Sequence, residues 1–200
     1  MKIGQVKTAF KIADVEFVSD STKLNFNYLK DLKDENGKAL SQKILSENVA
    51  RVYLIVVDGE IKKIGGNGAI KSTLEIYRDG GVKGRPSIRS FGVWYFLYHT
   101  ILQGKKIEFY MIYQENFEKE VKGLFGLKKV KNVSISYKFI EQCCVEDYLS
   151  VESEHSEWNV QEQGADWPLE IKNQHAELQA NAQSREKKIK RKEVRLNKYI

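Results

Sequence analysis

Residues 52–66, Val-Tyr-Leu-Ile-Val-Val-Asp-Gly-Glu-Ile-Lys-Lys-Ile-Gly-Gly, place the strongest local constraint on how this chain can fold. The first run, with Arg51 before it, is β-branched and apolar, which suits a strand buried on both faces. A second run follows at once. Asp58-Gly59 between them is a strong hairpin signal, because a type I′ turn needs positive φ at both central residues. The stretch predicts two antiparallel strands.

The rest of the chain supplies elements of both kinds. Residues 6–19 alternate as a strand should, with Val6, Phe10, Ile12, Val15 and Phe17 apolar. Residues 39–50 read as a helix with Ala39, Ile44 and Leu45 inward, and residues 69–78 as a short helix. Residues 79–86, rich in glycine and closed by Pro86, read as a flexible loop, with Ser87 as cap of the next helix. That helix covers 87–104 in about five turns and stops at Gly104. Residues 105–113 predict a strand, 114–126 a helix, 132–139 a strand and 140–152 a helix. From Asp166 one long helix runs to about residue 197, with Asp166 as cap and Pro168 in its first turn. The order is α+β rather than a regular βαβ alternation. It predicts a small mixed or antiparallel sheet, with the hairpin central, flanked by helices and followed by a long basic helix.

Charge separates the tail from the body. Residues 184–198 hold eight Lys or Arg against two Glu, and the remainder balances at 25 basic and 25 acidic residues, so this run accounts for the net charge of +6. A concentrated cationic segment on a near-neutral body points to a polyanion, nucleic acid above all. The two cysteines, Cys143 and Cys144, are adjacent and cannot staple distant segments. No secretory leader opens the chain, and the apolar residues 91–102 are too few to span a bilayer, which predicts a cytoplasmic protein without a membrane partner. The histidines His99, His155 and His175 lack metal-ligand spacing.

Three readings compete for the hairpin. It can be core structure with no chemistry. It can carry Glu60-Ile61-Lys62 as the E-x-K half of a PD-(D/E)xK nuclease site, since alternation puts Glu60 and Lys62 on one face. The third reading rests on Tyr53 in the first strand and Lys63-Ile64-Gly65 in the second, which resemble the paired motifs of the GIY-YIG nuclease family. The first motif is degenerate, Arg51-Val52-Tyr53. The second has lysine where tyrosine is usual, similar to some restriction-endonuclease members.

Downstream residues extend the resemblance over about residues 51–160 in the family's order. Arg89 sits on the helix after the hairpin, a strand follows, and Glu146 lies on a later helix with Asn159 beyond it. The resemblance implies roles. Tyr53 acts as, or positions, the general base, and Lys63 assists it or steadies the phosphate. Arg89 contacts the scissile phosphate, Glu146 holds a divalent cation such as Mg²⁺, and Asn159 supports the site. Arg78 stands as a substitute for Arg89, and Glu141 competes with Glu146. Val93 occupies a place where many members carry histidine or tyrosine.

The chain then divides into an N-terminal elaboration (1–50), a GIY-YIG-like catalytic core (51–165) and a basic helix (166–200). Lys188, Arg191, Lys192 and Arg195 recur at helical intervals and are expected to contact DNA. The expected activity is metal-dependent hydrolysis of double-stranded DNA by a sequence-specific type II restriction endonuclease, with a homodimer as the form suited to a palindrome. A non-catalytic nucleic-acid-binding protein relying on the basic helix is the alternative from a different class.

Overall fold

A computed structural model describes residues 1–18, 21–47, 49–68, 70–80 and 85–196, the side chains of residues 71 and 185–196 excepted. The chain begins with two antiparallel strands, β1 (Phe10–Phe17) and β2 (Leu24–Tyr28). The hairpin follows as β3 (Ala50–Val57) and β4 (Glu60–Asn67). Asp58 and Gly59 take φ of 48° and 85°, as a type I′ turn requires. Next come helix α1 (Ile70–Arg78), helix α2 (Ile88–Leu102) and strand β5 (Ile107–Gln114). A second hairpin, β6 (Phe117–Gly123) and β7 (Gly126–Val133), leads to α3 (Tyr137–Glu152) and α4 (Leu169–Leu196).

Five strands form one antiparallel sheet in the order β2-β1-β5-β3-β4, and β6 and β7 form a separate two-stranded ribbon. The α+β class is therefore as the sequence implies, but the β3–β4 hairpin lies at one end of the sheet, with β4 its outer strand, rather than at its centre. Residues 1–50 supply two strands to the same sheet as the hairpin, through the pairing of β1 with β5.

Every residue of β3 is buried. Tyr53, Ile55 and Val57 face a core that contains Leu74 of α1, Phe91 and Leu97 of α2, and Ile171 of α4. Val52, Leu54 and Val56 face Tyr148 of α3, with Ile140 and Val145 at the rim. Helices on both faces explain the unbroken apolar run in an antiparallel sheet, where one face more often meets water. Gly92 permits α4 to dock on α2, because a Cβ there would run into the Trp167 ring.

Three local expectations are corrected. The helix expected at 39–50 is only a 3-10 turn at Gln42–Leu45. Its sequence offers two inward residues, Ile44 and Leu45, too short a face to hold a longer helix against the core. The helix expected at 114–126 is β6 and its turn, since Gly123 and Gly126 favour a reversal over helix. The strand expected at 132–139 ends at Val133, and Ser136 starts α3 by accepting a hydrogen bond from the Lys138 amide. Residues 81–84 of the expected loop lie outside the described residues, as do the side chains of Lys188, Arg191, Lys192 and Arg195, whose backbone continues α4. Among the described residues no helix is long and apolar enough to cross a membrane.

Candidate functional site

The site begins with a slip in strand pairing. Ile55 pairs with Lys63 but Val56 pairs with Ile61, so Lys62 is the extra residue of a β-bulge. Regular alternation would keep Lys63 on the face of Ile61, toward α3. The bulge moves Lys63 to the other face, which it shares with Tyr53, while Ile61 and Ile64 both stay with α3.

Two glycines then set what approaches the end of β4. Gly65 pairs with Tyr53, and a Cβ at Gly65 would collide with the Tyr53 ring. At Gly66 a Cβ would meet the Glu141 carboxylate and the Tyr137 ring. The Lys-Ile-Gly-Gly sequence thus lets a buried tyrosine lie over the strand and lets α3 bring a carboxylate against it.

Tyr53 is buried, and its hydroxyl lies 2.9 Å from that of Tyr77 on α1. Burial raises the Tyr53 pKa well above the ordinary phenol value, and the neighbouring Tyr77 and Glu141 push the same way against Arg89. Tyr53 is a phenol at neutral pH. Lys63 is 1% exposed, and its ammonium reaches the Trp158 carbonyl at 3.4 Å. Burial brings its pKa down to about 8; Glu162 and Glu141 oppose the shift and Arg89 adds to it. Lys63 therefore changes charge near physiological pH.

Arg89, in the first turn of α2, is 43% exposed and holds Glu162 at 2.6 Å. Both border an open cleft of about 460 Å³, with Lys138, Glu141, Gln142, Val145 and Glu146 of α3 along the opposite wall. Glu141 is half-buried beside β4, whereas Glu146 is exposed and accepts a hydrogen bond from Gln142 at 2.8 Å. Five residues separate them, about 140° around a helix.

Asn159 is buried in the segment after α3, and its amide closes both hydrogen bonds of one residue on the outer edge of β4. Its Oδ1 accepts from the Ile64 amide at 2.8 Å, and its Nδ2 donates to the Ile64 carbonyl at 2.9 Å. Ser156 Oγ donates to the same Oδ1 at 2.6 Å, and the Trp158 amide donates to the Lys62 carbonyl at 2.8 Å. This segment covers an edge that would otherwise stand open. Asn159→Ala is expected to cost about 2–4 kcal/mol, because it strands two buried backbone groups. Urea unfolding checks this, and a loss below about 0.5 kcal/mol, the range of ordinary surface changes, would mean that the edge is held by something else.

Of the residues singled out in the sequence, Tyr53, Lys63 and Arg89 converge, Asn159 braces the strand between them, and Glu146 lines the cleft. Arg78 lies apart from the cleft and pairs with Glu75 at 3.5 Å. Lys62 is held by Glu60 at 3.3 Å and Glu157 at 2.9 Å, and neither Glu60 nor Lys62 lines the cleft. Tyr77 and Glu162 were not anticipated. Tyr77 had a signal, the stripe Ile70-Thr73-Leu74-Tyr77 at helical spacing, all buried. Nothing local marks Glu162.

No protein-family model and no curated protein sequence matches the chain. Among solved structures it is similar to a mutant of bacteriophage T4 EndoII, at 13% identity over 74% of this chain and 95% of that one, with a TM-score of 0.47. It is also similar to the restriction endonuclease HPY188I in complex with product DNA, at 19% identity over 78% of this chain and 83% of that one, with a TM-score of 0.41.

Proposed function

We propose that the protein is a metal-dependent endonuclease that hydrolyses phosphodiester bonds in double-stranded DNA, of the sequence-specific restriction type, on a GIY-YIG-like core. One observation carries the reading. Arg89, Glu141 and Glu146 line one open cleft, and Arg89 and Glu141 act electrostatically on the buried Tyr53, Tyr77 and Lys63 beside it. Phosphoryl transfer needs cationic donors for the phosphoryl oxygens and a group that can take the proton of the attacking water.

Arg89 contacts the scissile phosphate, exchanging its partner Glu162 for the phosphate oxygens. Tyr53, a phenol braced by Tyr77, orients the attacking water. Lys63 in its amine form takes the proton as oxygen bonds to phosphorus and the P–O3′ bond breaks. The departing O3′ takes a proton from solvent water in the open cleft, leaving a 5′ phosphate and a 3′ hydroxyl.

Among the described residues no group of three or more His, Cys, Asp or Glu is arranged to hold a metal. The open cleft nevertheless suits Mg²⁺, which takes one or two carboxylates and completes its shell with water and phosphate. Glu141 would hold it, with Glu146 further along the same wall, and the cation would neutralise charge on the phosphoryl and leaving oxygens. What favours Glu141 over Glu146 is its place against Gly66.

Plasmid cleavage with Mg²⁺ and with EDTA tests the reading. Cleavage is expected only with the metal, and Tyr53→Phe should lower it on the order of 10²-fold. In wild type, kcat/KM should rise through about pH 8, the Lys63 value, since that ratio reports the free enzyme. A rate falling above that pH would assign Lys63 an ammonium role instead. Protein that shifts duplex in a gel but cuts it with no divalent cation would be a binding protein only.

A further inference from the structure

Strands β6 and β7 leave the body at the end of the sheet that carries the site. Gln114, the last residue of β5, pairs with Ala50, and Tyr53 pairs with Gly65 three residues further along β3. After β7 the chain enters α3, whose first turns place Tyr137 and Glu141 on Gly66. The ribbon therefore springs from beside the cleft. At about 3.4 Å per residue its strands reach roughly 24 Å outward.

All residues from Gln114 to Asn132 are exposed, so neither face of the ribbon packs on the body. An isolated two-stranded hairpin is marginal in water, and this one ends on an unusual turn. Turn positions favour Gly, Asn, Asp or Ser, but here Leu124 and Phe125 occupy them between Gly123 and Gly126, 94% and 95% exposed. Local folding does not call for two large apolar side chains there. From Val121 to Lys131 the ribbon carries Lys122, Lys128, Lys129 and Lys131 and no acid. Among the described residues, Lys129 alone of these four has an ion-pair partner, Glu118 at 3.9 Å.

We propose that the β6–β7 ribbon is a DNA-binding element that enters the major groove of a duplex lying in the adjacent cleft. Leu124 and Phe125 press against base edges, and Lys122, Lys128 and Lys131 contact the flanking phosphates. The proposal rests on duplex DNA being the substrate. The major groove, about 12 Å wide, admits a two-stranded ribbon, and apolar side chains there contact base edges such as the thymine methyl. The apolar tip suits bases, and the lysines behind it suit the backbone on either side.

Fluorescence anisotropy of a labelled duplex with the full chain in EDTA separates binding from cleavage. Lys122→Gln/Lys128→Gln/Lys131→Gln should weaken binding on the order of 10–100-fold and flatten the log K against log salt slope by about 2 to 3. Leu124→Ser/Phe125→Ser should weaken it about 10-fold with the slope unchanged, the signature of contact with bases rather than phosphates. Phe125→Trp keeps an apolar tip, and its emission should be quenched on adding duplex. Wild-type affinity and slope in both multiple variants would overturn the proposal, as would an unquenched Trp. So would a tip variant that changed only sedimentation, which would make the ribbon a self-association arm. Wild type that binds through the ribbon but never cuts would sink the nuclease reading and leave the ribbon standing. Cutting with ribbon-independent binding would do the reverse.

Discussion

Glu141→Gln is expected to lower Mg²⁺-supported cleavage of duplex DNA on the order of 10³-fold, while Glu146→Gln costs about 10-fold or less. Both carboxylates line the cleft. Only Glu141 lies against β4, where Gly66 leaves room for it, and only Glu141 is among the charges acting on Tyr53, Tyr77 and Lys63. Glu146, about 140° further round the helix, is tied to Gln142 at the exposed surface. Isothermal titration with Mg²⁺ gives a second readout. Affinity should fall in Glu141→Gln and stay near wild type in Glu146→Gln. The opposite ranking in both assays would return the metal to Glu146.

Lys63→Met is expected to give a protein that is more stable and nearly inactive. Lys63 is buried and its pKa is brought down from 10.5 to about 8. Between pH 8 and 10.5 the unfolded chain holds the proton more tightly than the folded one, so wild-type stability rises with pH across that window. Below pH 8 both states are protonated and the full penalty of burying the charge applies. At 1.36 kcal/mol per pKa unit that penalty is about 3 kcal/mol. Methionine fills similar space without it. Urea unfolding at pH 7 should show Lys63→Met more stable by up to about 3 kcal/mol, with the advantage shrinking toward pH 10.5. Cleavage should fall on the order of 10²–10⁴-fold, the worth of a general base. A destabilised Lys63→Met would show that the Trp158 carbonyl and the nearby carboxylates hold the ammonium in a favourable setting. A buried, destabilising lysine is what a functional site keeps at the expense of stability.

Several features were legible in the residues themselves. The β3–β4 hairpin follows from Asp58-Gly59, the α2 start from Ser87, and β5 from its apolar run. Local conformational rules decide these, since turn φ values and caps depend on a few neighbours. The ribbon was misread because its glycines and alternating charges are compatible with several conformations, and the pairing partner decides. Strand β2 was missed for a similar reason, being short and polar on one side.

The chain alone determined that Tyr53 and Lys63 sit on adjoining strands of one hairpin, and that Arg89, Glu146 and Asn159 follow in order. Tertiary structure decided the rest. A bulge at Lys62 turned Lys63 toward Tyr53, and helix phase put Glu141 rather than Glu146 against the strand. Packing of α1 supplied Tyr77, and the covered edge of β4 engaged Asn159 with Ile64. The physical reason is range. Turns and caps are set by neighbours in sequence, whereas the face a side chain takes depends on register and packing between segments far apart in the chain.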